Sequence, residues 1–398
     1  MVTALTHNEH EDTLDLNMSI SKQSGKPIVI IGPRLPTMGG ISIYISHLER
    51  NLISRGYTVL PVSLYVFHMA EVHVRDFFKI NFLRSILSKI SRMLENLWTI
   101  LSICRNHDVM LVHVHTAAGI SFYENALYML IFNLFNVPSI MHIHSTVLHE
   151  NYSHSNILGK AVISWIFSRY SKVVVLSESW KKTLLKTIEL DPSKVSIVTN
   201  AADIPDALGK TACRNILGLS SDMKILFTIG TLIERKGFNY LVLSMAEILK
   251  ARDDVICFIG GSGQLNKSLQ TQINELGLSD HVKLLGFIPT GVLHVWLNAC
   301  DIFVLPSLRE GFPIVQIEAM ACGKPVVATR NGGSEDIITS DNIGLLCRPG
   351  DPVDLGQKIL LALDTEWDEN LIRNTAYAYN WDNTTEQTIN IYNSLTHR

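Results

Sequence analysis

Charge is scarce in this sequence. Only 18% of its 398 residues are Asp, Glu, Lys or Arg, and the formal net charge is −3. No global basic field exists for nucleic acid, so no nucleic-acid partner is expected and any anion site must be local. Cysteine is sparse as well. Cys104, Cys213, Cys257, Cys300, Cys322 and Cys347 are scattered, with no Cys-x-x-Cys pair. That argues against a disulfide framework or a zinc site and fits a reducing cytoplasm. A membrane-spanning helix needs about 20 apolar residues, and the nearest run, 126–135, is too short and reads as a buried helix. The first stretch, 1–25, is polar and acidic without the apolar core of a signal peptide, and reads as a flexible tail. The expectation is a cytoplasmic protein, soluble or resting at the inner face of the cell membrane. Three motifs are missing too. There is no Gly-x-Gly-x-x-Gly dinucleotide fingerprint, no Gly-x4-Gly-Lys-Ser/Thr phosphate loop, and no His-Glu-x-x-His despite 15 histidines.

What is present is short apolar runs separated by helical patterns. They fall at 27–31, 58–64, 109–114, 139–143, 173–176 and 195–198. The series restarts at 225–229, 255–259, 282–284, 302–305, 326–328 and 344–346, with helices expected at 238–250, 265–275, 313–321 and 354–363. Apolar strands alternating with helices indicate parallel sheets buried on both faces. The fold class is therefore α/β, with two tandem Rossmann-like doubly wound domains. A less periodic stretch at 203–222, carrying Pro205, Gly209 and Gly218, reads as the linker. The expected division is 26–204, 205–378 and a terminal helix at 379–398. In open α/β sheets ligands sit outside the carboxyl ends of the strands, so two such domains facing a central cleft could hold two substrates.

The densest signal is Pro306-Ser-Leu-Arg-Glu310-Gly311-Phe312-Pro313, followed by Glu318, Gly323 and Pro325. A strand ends at Leu305 and a helix opens near Pro313, a residue favoured in a first helical turn. Such a junction offers backbone N–H groups to a phosphate or sugar oxygen. On the pattern alone, Glu310 and Glu318 could equally be a solvent-facing pair. A second signal is Gly230-Thr231-Leu232-Ile233-Glu234-Arg235-Lys236-Gly237, where the first strand of the second half turns into its helix. A third is Gly260-Gly261-Ser262-Gly263, which could be only a tight turn.

Together these segments resemble glycosyltransferase family 4, the retaining family of GT-B fold. Glu310 to Glu318 matches its Glu-x7-Glu signature, and the surrounding Pro-Ser, Glu-Gly-Phe and Glu-Ala-Met-Ala-x-Gly-x-Pro-Val pieces match too. The resemblance implies a sugar moved from a nucleotide-diphosphate donor to a carbohydrate, lipid-linked or small-molecule acceptor, in polysaccharide or glycoconjugate synthesis. By it, Glu310 contacts donor hydroxyls, the Gly311 and Phe312 amides and Pro313 face the sugar and diphosphate, and Glu318 accepts from the ribose diol. Lys236 grips the diphosphate. Arg235 compensates for Thr231, which replaces a common arginine, if its side chain turns inward; otherwise it is a solvated helix-start residue. Gly261 and Gly263 lie near the nucleotide and Phe287 near the base. Gly39 and Gly40 bring backbone amides to the donor phosphates. Asn200 falls where the family reads Pro-Asn-Gly, here without the Pro and Gly. No Asp-x-Asp motif occurs, so no metal and no cofactor beyond the nucleotide-sugar substrate are expected. A non-catalytic nucleotide-sugar binder is the alternative.

Histidines end two strands: His113 and His115, then His142 and His144. Alternation places His142 and His144 on one face and Ile143 on the other. By resemblance to the family's Thr-x-His segment, His144 points toward the sugar and diphosphate. The other three read first as structural. Finally, 77–101 shows an apolar repeat of three and four with Arg84, Lys89 and Arg92 between. It reads as a helix packed on its sheet, or as a basic amphipathic helix resting on an anionic membrane.

Overall fold

The computed structural model describes residues 25–34, 40–63, 80–145, 148–204 and 208–396, without the side chains of 80–89. Gly39 and Pro205, and residues 77–79 of the amphipathic stretch, lie outside this description. The chain divides into two compact units. One holds the described residues of Gln23–Asn200 and Trp381–Arg398; the other holds those of Ala201–Asn380.

The first unit is built on β1 (Ile28–Gly32), β2 (Val59–Ser63), β3 (Leu111–Thr116), β4 (Ser139–Ile143), β5 (Lys172–Val175) and β6 (Val195–Ile197). They pair in the order β2-β1-β3-β4-β5-β6, and every pairing is parallel. Alternate side chains feed two cores. Val29, Ile31, Val112, Val114, Met141 and Ile143 pack with the helices Ile80–Asn106, Ile120–Leu134 and Ile157–Ser168. Ile28, Ile30, Leu111, Ile140 and Val174 pack with Gly40–Ser54 and the terminal helix Trp381–Thr396. Each fully buried Val or Ile contributes about 1.5–3 kcal/mol, which explains why strands with no polar face are stable here. Tyr392, fully buried, fixes the terminal helix to this sheet.

The second unit carries β7 (Lys224–Ile229), β8 (Val255–Gly260), β9 (Val282–Gly286), β10 (Ile302–Leu305), β11 (Val326–Thr329) and β12 (Gly344–Cys347). Their order is β12-β11-β10-β7-β8-β9, again parallel throughout. The chain reverses direction across each sheet, and the carboxyl ends of β7, β8 and β10 lie side by side. The loops that follow them form the candidate site. All six cysteines are buried free thiols. Among the described residues, no helix is long and apolar enough to cross a membrane.

Three expectations need correction. The stretch 203–222 is not simply a linker, because it contains the helix Lys210–Leu217, ended by Gly218 at φ 67°. Arg214 anchors that helix: its guanidinium meets Asp301 Oδ2 at 2.6 Å and donates to the carbonyls of Ala299, Ser221 and Met223. Eight residues with one buried face are too few for periodicity to register. The run 126–135 ends a helix that is not wholly buried, since Leu127, Leu130 and Leu134 are exposed. In Ile80–Asn106, Met93, Leu97, Ile100 and Cys104 pack on the core, while Ile90, Leu94 and Trp98 are exposed. The apolar repeat thus splits between two faces.

Candidate functional site

In the second unit, the turn after β7 is shaped by glycine. Glu234–Lys236 forms a single 3-10 turn closed by Gly237 at φ 68°. A Cβ on Gly237 would collide with the Pro306 carbonyl, so only glycine lets this turn press against the loop after β10. The contact is sealed by Leu308 N–H donating to Arg235 O at 2.8 Å. Lys236 is thereby delivered onto Glu310. Its Nζ lies 2.7 Å from Glu310 Oε1, which also accepts from Ser307 Oγ at 2.6 Å. Arg235 turns toward the same loop, donating to Arg309 O at 2.7 Å and to Glu310 Oε2 at 3.3 Å.

Glu310 is buried. Burial pushes its carboxyl up, but Lys236, Ser307 and Arg235 outweigh that and hold it below the ordinary range. It is therefore an ionised acceptor at neutral pH. A carboxylate offers about four acceptor positions and an ammonium three donors. Lys236 and Ser307 donate to Oε1 and Arg235 to Oε2, and one of the three Lys236 protons is used in the bond to Glu310.

A second shelf supports this loop. Glu310 N–H donates to Asn331 O at 2.9 Å, and Thr329 Oγ1 donates to Ser307 O. Asn331 Oδ1 accepts from the Gly333 and Ser334 amides, while Ser334 Oγ donates to Gln316 Oε1 at 2.7 Å. Motif reading assigned Ser307, Thr329, Asn331 and Gln316 no role. Only the fold shows that they hold Glu310, because their partners lie on different strands.

Pro313 precedes the helix Ile314–Ala321 as its N-cap, so the helix opens one residue later than expected. Gly311 shares this loop, packing its carbonyl against Gly333. The Phe312 ring is buried against Tyr379, 5.5 Å between centroids, which leaves only its backbone for a ligand. Glu318 sits on the helix. Burial, and then Asp203, push its carboxyl up to about 7. Gly261, at φ 122°, packs where a Cβ would strike the Gly230 carbonyl, and a Cβ on Gly263 would come within 2.5 Å of Leu232 O. The glycine turn after β8 is therefore required by its contact with the Lys236 loop. Phe287, at the end of β9, is 79% exposed. Thr231 is exposed as well.

In the first unit, Gly40 starts the helix Gly40–Ser54, and a Cβ there would meet open space. Within this unit nothing crowds it. Asn200 is buried with its Oδ1 unpartnered. His144 is half-buried just beyond β4, its Nε2 2.9 Å from His115 Nδ1. It stacks on His142 at 4.3 Å and meets Tyr44 edge-on at 5.0 Å. Burial pushes the His144 imidazole down to about 3, so it is neutral at physiological pH. The four histidines share one sheet face, as alternation predicts, and Ile143 joins the opposite core.

Two parallel doubly wound sheets, with a lysine-carboxylate pair held among glycine turns at strand ends, define a nucleotide-sugar-type glycosyltransferase fold. The comparisons agree. The family model described as Glycosyltransferase Family 4 matches 38–205, and that described as Glycosyl transferases group 1 matches 209–381. The chain belongs to glycosyltransferase family 4, of GT-B fold. It is 29% identical over 270 residues to an uncharacterized glycosyltransferase of Methanocaldococcus jannaschii, covering 64% of this chain and 69% of that protein. It is 22% identical over 377 residues to the GPI3 subunit of the Saccharomyces cerevisiae phosphatidylinositol N-acetylglucosaminyltransferase, covering 90% and 81%. Among solved structures it is similar to Anabaena HepE in complex with UDP, with TM-score 0.70 at 18% identity, covering 92% of this chain and all of the other.

Proposed function

We propose that this glycosyltransferase moves a sugar, with retention and without a metal ion, from a nucleotide-diphosphate donor to a carbohydrate or lipid-linked acceptor. The observation that carries this reading is the Lys236 ammonium held 2.7 Å from the Glu310 carboxylate beside the glycine turns of β7 and β8. As the glycosidic bond breaks, the departing diphosphate gains negative charge. A fixed ammonium and strand-end amides stabilise that charge more in the transition state than in the ground state. Glu310, an ionised acceptor, takes hydrogen bonds from donor hydroxyls. Glu318 accepts from the ribose diol, and the exposed Phe287 ring offers a stacking surface for the base. The leaving phosphate helps deprotonate the acceptor. The UDP complex of the solved neighbour places UDP-sugars first among donors to test.

A lipid-linked acceptor has support in the first unit. Ile120, Tyr123, Leu127, Leu130 and Leu134 form an exposed apolar stripe, and Ile157, Leu158, Val162 and Trp165 form a second. Leu94 and Trp98 are exposed on a third helix, and exposed apolar side chains of this kind suit a membrane-resting protein. The yeast relative's name, which couples phosphatidylinositol to sugar transfer, agrees with it.

Transfer assays with a nucleotide-sugar panel test the donor half of the reading. Lys236→Ala should lower kcat by about 10²–10³, or roughly 3–4 kcal/mol, by analogy with other preorganised donors. Unchanged turnover would sink the charge-clamp argument. Flotation with anionic liposomes tests the acceptor half, and Trp98→Glu with Leu134→Glu should abolish it.

A further inference from the structure

We propose that His113, His115 and His142 form a binding site for a divalent transition-metal ion of the zinc class. His113 and His115 are alternate residues of β3, and His142 lies on the neighbouring β4, directly opposite His115. All three point to one sheet face and are buried. Each offers a ring nitrogen, and these three atoms lie within 4.8 Å of one another.

The hydrogen bonding is what separates this cluster from three core histidines. His113 Nδ1 is 2.7 Å from Tyr392 Oη, and His115 Nδ1 is 2.9 Å from His144 Nε2. In each ring the other nitrogen, Nε2, is buried without a partner, and His142 has neither ring nitrogen partnered. Buried polar atoms left unmatched call for an explanation such as an ion. Ligating histidines characteristically donate one ring N–H to an outer partner, which fixes the tautomer and frees the other nitrogen. Nδ1–H donation from His113 to Tyr392 and from His115 to His144 would leave both Nε2 atoms as lone-pair donors. Three imidazoles form a known zinc ligand set with one position left open. Imidazole sets favour zinc, copper, nickel and iron over calcium or magnesium.

Occupancy requires a small closing movement. With metal–nitrogen bonds of about 2.1 Å, tetrahedral ligand nitrogens lie roughly 3.4 Å apart, so the rings must draw in by about 1 Å. The proposal gives the ion a holding role between β3, β4 and the terminal helix, separate from the transfer chemistry.

The test uses the full chain, stripped with a chelator and then titrated with Zn²⁺ by calorimetry and with Co²⁺ by visible absorption. One equivalent should bind, with a tetrahedral cobalt spectrum and a melting temperature that rises until one equivalent is reached. His142→Leu should weaken zinc binding by at least ~100-fold, whereas replacing the exposed His107 with Gln should not. If His142→Leu fails to fold, X-ray absorption of the zinc-loaded wild type decides instead, with three imidazole ligands expected. Binding away from unit stoichiometry, equal affinity in a folded His142→Leu, or fewer than three imidazoles would overturn the proposal.

Discussion

Mild acid should destabilise the first unit. His113, His115 and His142 are buried, and burial is the main cause holding their imidazoles below the ordinary value, with His113 pushed down to about 3. Tyr44, Tyr392, His144 and the Arg34 guanidinium face the cluster, and none of these brings a negative charge to favour protonation. Arg34 is already paired with Glu49. In the unfolded chain each histidine titrates near 6.5. The unfolded state thus binds more protons than the folded state at any pH between the two values, so stability is full above about 6.5 and falls as pH drops below it. Between pH 7.5 and 5.5 each of these histidines, and His144 beside them, which burial likewise pushes down to about 3, removes on the order of 1 kcal/mol, so the four together remove on the order of 4–5 kcal/mol. Against a typical domain stability of about 5–15 kcal/mol, that is a large share. Equilibrium urea unfolding in a chelating buffer, followed by tryptophan fluorescence, measures it. With a slope near 2 kcal/mol per M, the midpoint should move down by about 2 M. In His142→Leu the pH-dependent loss should shrink by about a quarter. A wild-type midpoint that moves by less than about 0.5 M would refute the reasoning.

Other outcomes follow from the second unit. Glu318 is raised to about 7 by burial and Asp203, so it is protonated below that pH and ionised above. If it accepts from the ribose diol, donor affinity measured by calorimetry should be flat above pH 7.5 and fall toward tenfold per unit below 7, and Glu318→Gln should remove the dependence. Gly237→Ala forces a side chain into left-handed backbone and against the Pro306 carbonyl. It should cost about 2 kcal/mol or more, read as a melting-temperature drop of about 4–8 °C, with turnover lost in parallel as Lys236 is displaced. Arg214→Met removes one partner of Asp301, which keeps Lys210 and the Ile225 amide, and also the donations to the carbonyls of Ala299, Ser221 and Met223; it should cost about 1.5–3 kcal/mol by chemical denaturation.

The strands were legible because each is buried on both faces and bounded by turn residues, so composition alone marks them. Expected and observed runs such as 139–143 and 302–305 coincide. The helix Lys210–Leu217 was hidden because one long-range arginine holds it, and periodicity records only local spacing. The Lys236 and Glu310 motifs stood out as sequence, yet the direct bond between them depends on Gly237 meeting Pro306, residues 69 apart in the chain. The histidine cluster was the least visible. His-x-His on β3 and His-x-His on β4 are unremarkable apart, and only the pairing of His115 with His142 makes them one group.

The helix Trp381–Thr396 belongs to the sheet made first, and Tyr392 completes the packing around His113. On the ribosome, that sheet must wait for its missing partner while residues 201–380 are synthesised. At about 5–20 residues per second the delay is roughly ten to forty seconds. Throughout it, Ile28, Ile30, Leu111 and the imidazoles lack part of their cover. The later-made unit has all its residues before the earlier one does.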